Sequence, residues 1–205
     1  GIPGQPVSSA QTANRLSRGW VITAVVLSGL ILARFTDKWD TSSGVGKPFG
    51  FGKRAGWYAD GAAQFAGQPG FPQRAFIANF GQAAVYIFHN GPEHRVFIDG
   101  RLEVVTRTTF ERSEQILAEM EATNPAWQER LRDERGRLPV VILDSRFSRP
   151  QIRGLFITPG WRLVFADAAA AVFLDDQTAD RLRLPPADPR PLAHPPGTRP
   201  IMEKD

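Results

Sequence analysis

Few residues in this chain have both the type and the spacing that chemistry requires. His89, His94 and His194 fall in no H-E-x-x-H or H-x-x-E-H arrangement, the spacing that brings two imidazoles onto one helix face for zinc. His89 and His94 read instead as surface or capping groups in a helix-to-strand connection. Cysteine is absent, which excludes a thiolate nucleophile, a disulfide framework and a cysteine zinc site. Ser145 follows Asp144 at a strand end, but the run Leu143–Phe147 lacks the G-x-S-x-G turn that exposes a hydrolase nucleophile. Gly44, Gly46, Gly50 and Gly52, with Lys53 and Arg54 behind them, match neither G-x-G-x-x-G nor G-x-x-x-x-G-K-[ST]. No apolar strand precedes them, so nucleotide binding is not expected.

What remains is Asp99 with Arg101, at the carboxyl end of an apolar strand, where ligand groups sit in open α/β sheets. These two are the candidate binding residues. The plainer reading is a turn in which Asp99 accepts backbone hydrogen bonds and Arg101 pairs with a nearby acid. Neither has an evident acid, base or nucleophile beside it. No catalytic, metal or cofactor-binding residue is assigned, no cofactor is expected, and the chain reads as a non-enzyme.

The elements that must position these residues follow from periodicity. Ala75–Phe80 reads as a strand, Gln82–Phe88 as a short helix, and Arg95–Asp99 as a buried strand closed by Gly100 and Arg101. Thr108 with Glu111 is a capping-box candidate for a helix carrying Phe110, Ile116, Leu117 and Met120. Asn124 and Pro125 serve as N-cap and first residue of the next helix, with Trp127 and Leu131 one turn apart and Gly136 as its stop. Leu138–Leu143 is too apolar for a solvated strand and suits a sheet covered on both faces. Ser148 and Pro150 open a short helix. Trp161–Ala166 and Ala169–Leu174 form an antiparallel hairpin around Asp167. The alternation predicts an α/β fold: a mixed, mostly parallel sheet with helices on both faces, Arg95–Asp99 and Leu138–Leu143 among its central strands, and a C-terminal hairpin.

Ahead of this domain, residues 1–18 are small and polar, and the uncharged run Gly19–Ala33 follows Arg15 and Arg18 and ends at Arg34. Fifteen residues span about 22 Å as a helix, short of a hydrocarbon core of about 30 Å. A signal peptide lacks a small-x-small cleavage site here, since the exit reads Leu32-Ala33-Arg34-Phe35. A buried core helix would carry a polar face, yet Thr23 and Ser28 are the only polar side chains in the run. The reading is a single transmembrane helix over 19–40, anchored in the bilayer by Trp20, Val25, Leu27, Leu30 and Leu32, with Trp20 and Trp39 at the interfaces and Arg18 and Arg34 snorkelling. Arg15 and Arg18 face Arg34, Lys38, Lys47, Lys53 and Arg54 across it, so charge gives no firm orientation.

Composition fixes the rest. Hydrophobic content of 42% with 22% charged residues suits one globular core in 205 residues. The net charge of +4 comes without blocks of like charge, and arginine outnumbers lysine, which reads as codon bias; no nucleic-acid partner is expected. Prolines and glycines crowd two stretches, a connector over 41–72 and a tail over 176–205 with seven prolines from Pro185 to Pro200. Within the connector Gly61–Phe65 reads as a short helix. The α/β domain lies between, over 73–175, and the tail reads as extended. Phe49, Phe51, Trp57, Leu184, Leu192 and Ile201 are the candidate contacts with partner subunits.

Pro92–Arg101 (PEHRVFIDGR), Trp161–Asp167 (WRLVFAD) and Ala171–Leu174 (AVFL) resemble the C-terminal domain of a family of uncharacterised bacterial polytopic membrane proteins. Those proteins are similar to glycosyltransferases that use lipid-phosphate sugars. The resemblance covers about residues 62–174, with Ala83 and Ala84 where the family carries paired glycines and one short span where it carries many. It implies an α/β domain on the extracytoplasmic side of the bacterial cytoplasmic membrane, without the catalytic helices. The expected function is a non-catalytic accessory or scaffold subunit, bound to the lipid bilayer and to other membrane-protein subunits of a respiratory, photosynthetic or transport complex. The alternative is the acceptor-binding part of a membrane glycosyltransferase.

Overall fold

The computed structural model describes residues 9–35, 56–101 and 105–193. The chain divides into two compact units, residues 1–52 with 197–205 and residues 53–196. In the first, Ser9–Phe35 forms helix α1, which starts ten residues before the expected span. Over Gly19–Ala33 its large side chains stand exposed on every side, Trp20 at 74%, Val25 at 66% and Leu32 at 65%. Thr23 donates its hydroxyl proton back to the Gly19 carbonyl at 3.0 Å, so this polar group is satisfied inside the helix. Among the described residues no helix is long and apolar enough to cross a membrane.

The second unit is an α/β domain. Helix α2 (Asp60–Ala66) precedes strand β1 (Arg74–Ile77), helix α3 (Phe80–Asn90) and the two-residue strand β2 (Arg95–Val96). Helices α4 (Arg107–Glu121) and α5 (Ala126–Leu131) lead to β3 (Val140–Asp144). Helix α6 (Arg149–Ile157), the hairpin of β4 (Trp161–Ala166) and β5 (Ala170–Asp175), and helix α7 (Asp176–Arg181) complete it. The sheet order is β2-β1-β3-β5-β4. β1 is parallel to β2 and β3, and β5 is antiparallel to both neighbours, so four of the five strands point one way.

Alternation along the strands divides the core into two layers, as a sheet covered on both faces must. One face turns Ala75, Ile77, Val140, Ile142 and Val172 toward Ala62, Ala63, Ala66, Ala83 and Tyr86 of α2 and α3. The other turns Phe76, Val141, Leu143 and Phe173 toward Ile116, Met120, Trp127, Leu131, Ile152 and Leu155 of α4, α5 and α6. The register of β4 against β5 shifts between Leu163 and Phe165. The extra residue puts Val164 and Phe165 on the same face, and Phe165 stacks on Phe65 of α2 at 5.0 Å.

Several expectations need correction. Arg95–Asp99 is not a central strand: only Arg95 and Val96 pair, at the sheet edge. Its apolar residues are covered by packing instead, with Phe97 against Phe76 at 5.5 Å, because an apolar run reports burial and not position in a sheet. Leu138–Leu143 does supply the fully buried β3. Phe80 opens α3 rather than ending β1. The cap of α4 is Thr106, which accepts from Thr109 N at 3.2 Å, while Glu111 binds Arg107 at 2.7 Å. Pro125 is the N-cap of α5 rather than its first residue, and Asn124, expected as the cap, lies one residue earlier and accepts from Ala126 N at 3.1 Å. That helix ends at Leu131, and Gly136 serves a later turn at φ +73°.

The domain also reaches beyond 73–175. Ala59, Ala62, Ala63, Ala66 and Phe71 of the expected connector are buried in its core, and Asp60–Ala66 realises the short helix foreseen there. Past residue 175 the chain does not run out extended. It forms α7, caps it through Asp175 on Thr178 N at 3.0 Å, and packs Leu182 and Leu184 on one core layer and Ala187 and Leu192 on the other. Arg162 pins this segment through Asp180 at 2.8 Å and Asp176 at 3.2 Å. Prolines stiffen a segment wherever its apolar residues find a surface, here the domain's own.

Candidate functional site

The connections that follow β1 and β2 run in opposite directions across the sheet. The chain crosses to β2 through α3, then passes back over β1 to β3 through α4 and α5. The strand order therefore reverses between β1 and β3, and the crevice outside their carboxyl ends is the position where open α/β sheets receive ligands. Asn79, Phe80 and Gln82 enter it from β1, Asp144 and Arg146 from β3, and Asp99 and Arg101 lie past β2.

Asp144 is the centre of this crevice, with a side chain at 0% exposure. It accepts from Arg146 N at 2.8 Å, from the Arg146 guanidinium at 2.8 and 3.2 Å, and from Gln82 Nε2 at 3.0 Å. Gln82 accepts from Ala59 N at 2.7 Å and donates to the Trp57 carbonyl at 3.1 Å. Arg146 donates to that same carbonyl at 2.8 Å and lies 4.1 Å from the Trp57 ring centroid and 5.3 Å from that of Phe147. Its Nη1 is buried with no hydrogen-bond partner among the described residues. Two buried charges thus bind one another, with a glutamine and a backbone carbonyl beside them, and the segment from Trp57 to Ala59 lies across the crevice mouth.

Asp99 has a different setting. Arg101 donates to it from its backbone at 3.0 Å and from its guanidinium at 2.9 and 2.7 Å, with Asp99 buried and Arg101 70% exposed. The Arg101 side-chain hydrogen bond holds the Asp99 carboxyl below its ordinary value near 3.8, its desolvation notwithstanding. The turn reading made from the sequence holds, with the acid that Arg101 meets being Asp99 itself.

The other sequence candidates are structural. Ser145 is buried and donates its hydroxyl proton to the Ala168 carbonyl at 2.6 Å, which leaves it no base. His89 lies in the last turn of α3, not in the connection after it, and meets Asp60 at 2.8 Å; His94 meets the Tyr86 hydroxyl at 2.8 Å. Burial pushes the Tyr86 phenol well above its ordinary value, so it keeps its proton. Trp57 is half-buried against Arg146, while Leu184 and Leu192 pack on the domain's own core. Phe49, Phe51, Ile201 and His194 lie outside the described residues. Among the described residues no group of three or more His, Asp or Glu could hold a metal ion.

Gln82, Arg146 and the Trp57 carbonyl are the residues that sequence reasoning missed. Their signal was available: Asp144-Ser145-Arg146 repeats the Asp99-Gly100-Arg101 pattern behind a second apolar strand. Comparison with protein-family models, with curated proteins and with solved structures returned no match to this chain.

Proposed function

We propose that the chain is a non-catalytic, membrane-anchored accessory or scaffold subunit of a larger membrane protein complex, with its α/β domain on the extracytoplasmic face of a bacterial cytoplasmic membrane. The observation that carries the reading is α1, whose apolar side chains from Trp20 to Leu32 are exposed on every side. In water that surface is unfavourable by about 25 cal/mol per Å², and a lipid environment or other apolar helices relieve it. Arginines at the two ends, Arg18 and Arg34, suit a short apolar helix, because their long stems carry the charges to the headgroups while the bilayer thins locally around it. The carboxyl-end crevice of the domain supports the non-catalytic half of the reading. Its buried carboxylate and guanidinium are bound to each other and to the backbone rather than aimed at an open cavity.

The test is to isolate the full chain from native membranes. It is expected to stay with the membrane pellet through alkaline carbonate and to co-purify with other membrane proteins in fixed ratio. Release into the carbonate supernatant as a monomer overturns the anchor and the complex together. Recovery as part of a much longer polytopic chain with sugar-transfer activity would favour the glycosyltransferase reading instead.

A further inference from the structure

At the opposite end of the sheet, outside the amino ends of β1, β2 and β3, the domain opens into a groove of about 1690 Å³. Arg74 and Arg95 sit side by side in it, as register partners on the parallel strands β1 and β2. Side chains two apart share a face of a strand, so Arg74 goes with Phe76 and Arg95 with Phe97, and both phenylalanines pack in the layer under α4, α5 and α6. The two guanidinium groups therefore leave the same face from backbones about 5 Å apart, and like charges so placed repel. Neither has an ion-pair partner among the described residues.

The rest of the groove leaves them uncompensated. Of its carboxylates, Asp133 is bound by Arg137 at 2.8 Å, Asp175 accepts from Thr178 N at 3.0 Å, and Asp176 meets Arg162 at 3.2 Å. Arg135 and Arg181 line the groove as well, without ion-pair partners among the described residues. Of the six arginines that line the groove, these four thus face two carboxylates that no guanidinium meets among the described residues, Glu93 and Asp175. Guanidinium forks match phosphate oxygens in pairs, and an anion between Arg74 and Arg95 converts their repulsion into two charge-assisted contacts.

We propose that this groove binds a soluble ligand carrying two or more phosphate groups, held by Arg74 and Arg95 with Arg135 and Arg181 at its second anionic end. The site stands independently of the anchor and subunit reading, because every residue in it belongs to the α/β domain. The probe is sodium pyrophosphate, titrated calorimetrically into the detergent-solubilised full chain at fixed ionic strength. Saturable binding is expected, weakened at least about tenfold in R74Q/R95Q, which loses two charge-assisted contacts. R153Q, an exposed arginine of α6 outside the groove, should bind as the parent does. R135Q/R181Q, at two exposed positions, supplies a second weakened variant if the strand pair fails to fold. Three results overturn the proposal: no saturation at millimolar pyrophosphate, equal loss in R153Q, or binding confined to phosphatidylglycerol vesicles with none to the soluble probe.

Discussion

Two turns of one sequence type flank β1, and they differ in almost everything except their local geometry. In Asp99-Gly100-Arg101 and in Asp144-Ser145-Arg146 the arginine gives its backbone N–H to the aspartate two residues before it, at 3.0 and 2.8 Å, and closes a guanidinium pair at 2.7 and 2.8 Å. The Arg101 side chain is 70% exposed and the Arg146 side chain 9%. Local sequence thus writes the turn, and the surroundings decide what it is worth. Asp99 is buried but its partner Arg101 stands in water, where an ion pair contributes about 0–1 kcal/mol. Asp144 and Arg146 have exchanged water for Gln82, Trp57 and Phe147, so removing either leaves the other buried without its counter-charge.

The largest expected effect breaks the buried turn. Arg146→Ala leaves Asp144 without its counter-charge in a site that excludes water, at a cost of about 3–5 kcal/mol. Arg101→Ala should cost no more than about 1 kcal/mol, and the denaturation midpoints of the two full-length variants make the comparison. Removing both buried charges in Asp144→Leu with Arg146→Met should be less damaging than Arg146→Ala alone, since no orphaned charge remains. Equal midpoints for R146A and R101A would mean that burial adds nothing to this turn.

Next in size is the link between the turn and α3. Gln82 satisfies Ala59 N, the Trp57 carbonyl and Asp144 together, and Gln82→Leu leaves these buried groups short of partners at a cost of about 1–3 kcal/mol. Trp57→Ala is milder. It removes the ring over Arg146 but keeps the backbone carbonyl, so the loss should be about 1 kcal/mol, the scale of a partly desolvated cation–π contact. Gln82→Leu should therefore lower the denaturation midpoint more than Trp57→Ala, and the reverse order would place the weight on the ring.

The same two turns show how far sequence reasoning reached. β3 was legible because Val140–Leu143 is apolar at every position, and the whole strand through Asp144 lies buried on both faces. The β4–β5 hairpin was legible because Asp167 sits between two alternating runs, and it does accept from Ala169 N and Ala170 N at 2.8 Å. The edge position of β2 was not legible, since Phe97 and Ile98 are buried by packing and no local pattern distinguishes that from strand pairing. The domain's limits were also hidden. Ala59–Ala66 looks like a Gly/Ala connector, yet its small residues let α2 lie close on the sheet, and the segment from Leu182 to Leu192 looks like a proline tail until the core that receives it is known. Asp99 stands out beside a glycine, whereas Arg146 is masked by Ser145, the more reactive residue type at the second strand end. Reading the aspartate–arginine spacing at both ends would have found the pair.

The smallest effect sharpens the comparison through pH and salt. Hydrogen bonds from the Arg101 side chain depress the Asp99 carboxyl below its ordinary value near 3.8, so the folded state favours the ionised form more than the unfolded chain does. The sign follows from proton binding: below that ordinary value the unfolded chain takes up a proton that the folded state resists, and folding loses the advantage as pH falls. The contribution is whole above pH 3.8 and vanishes as pH falls through the lower folded value. Asp99→Asn should therefore be slightly less stable than the parent at pH 7, with the gap closing under acid until the two unfold alike. Because Arg101 is exposed, about 1 M salt, with a screening length of about 3 Å, should shrink the same gap at neutral pH. The deficit of Arg146→Ala should resist that salt, since its charges are shielded from the solvent ions. Denaturant titrations of parent, D99N and R146A at pH 7, at pH 3 and in high salt separate the cases. A D99N gap that stays constant through acid and salt would show that the Asp99 turn works through geometry alone, and that charge distinguishes neither turn from the other.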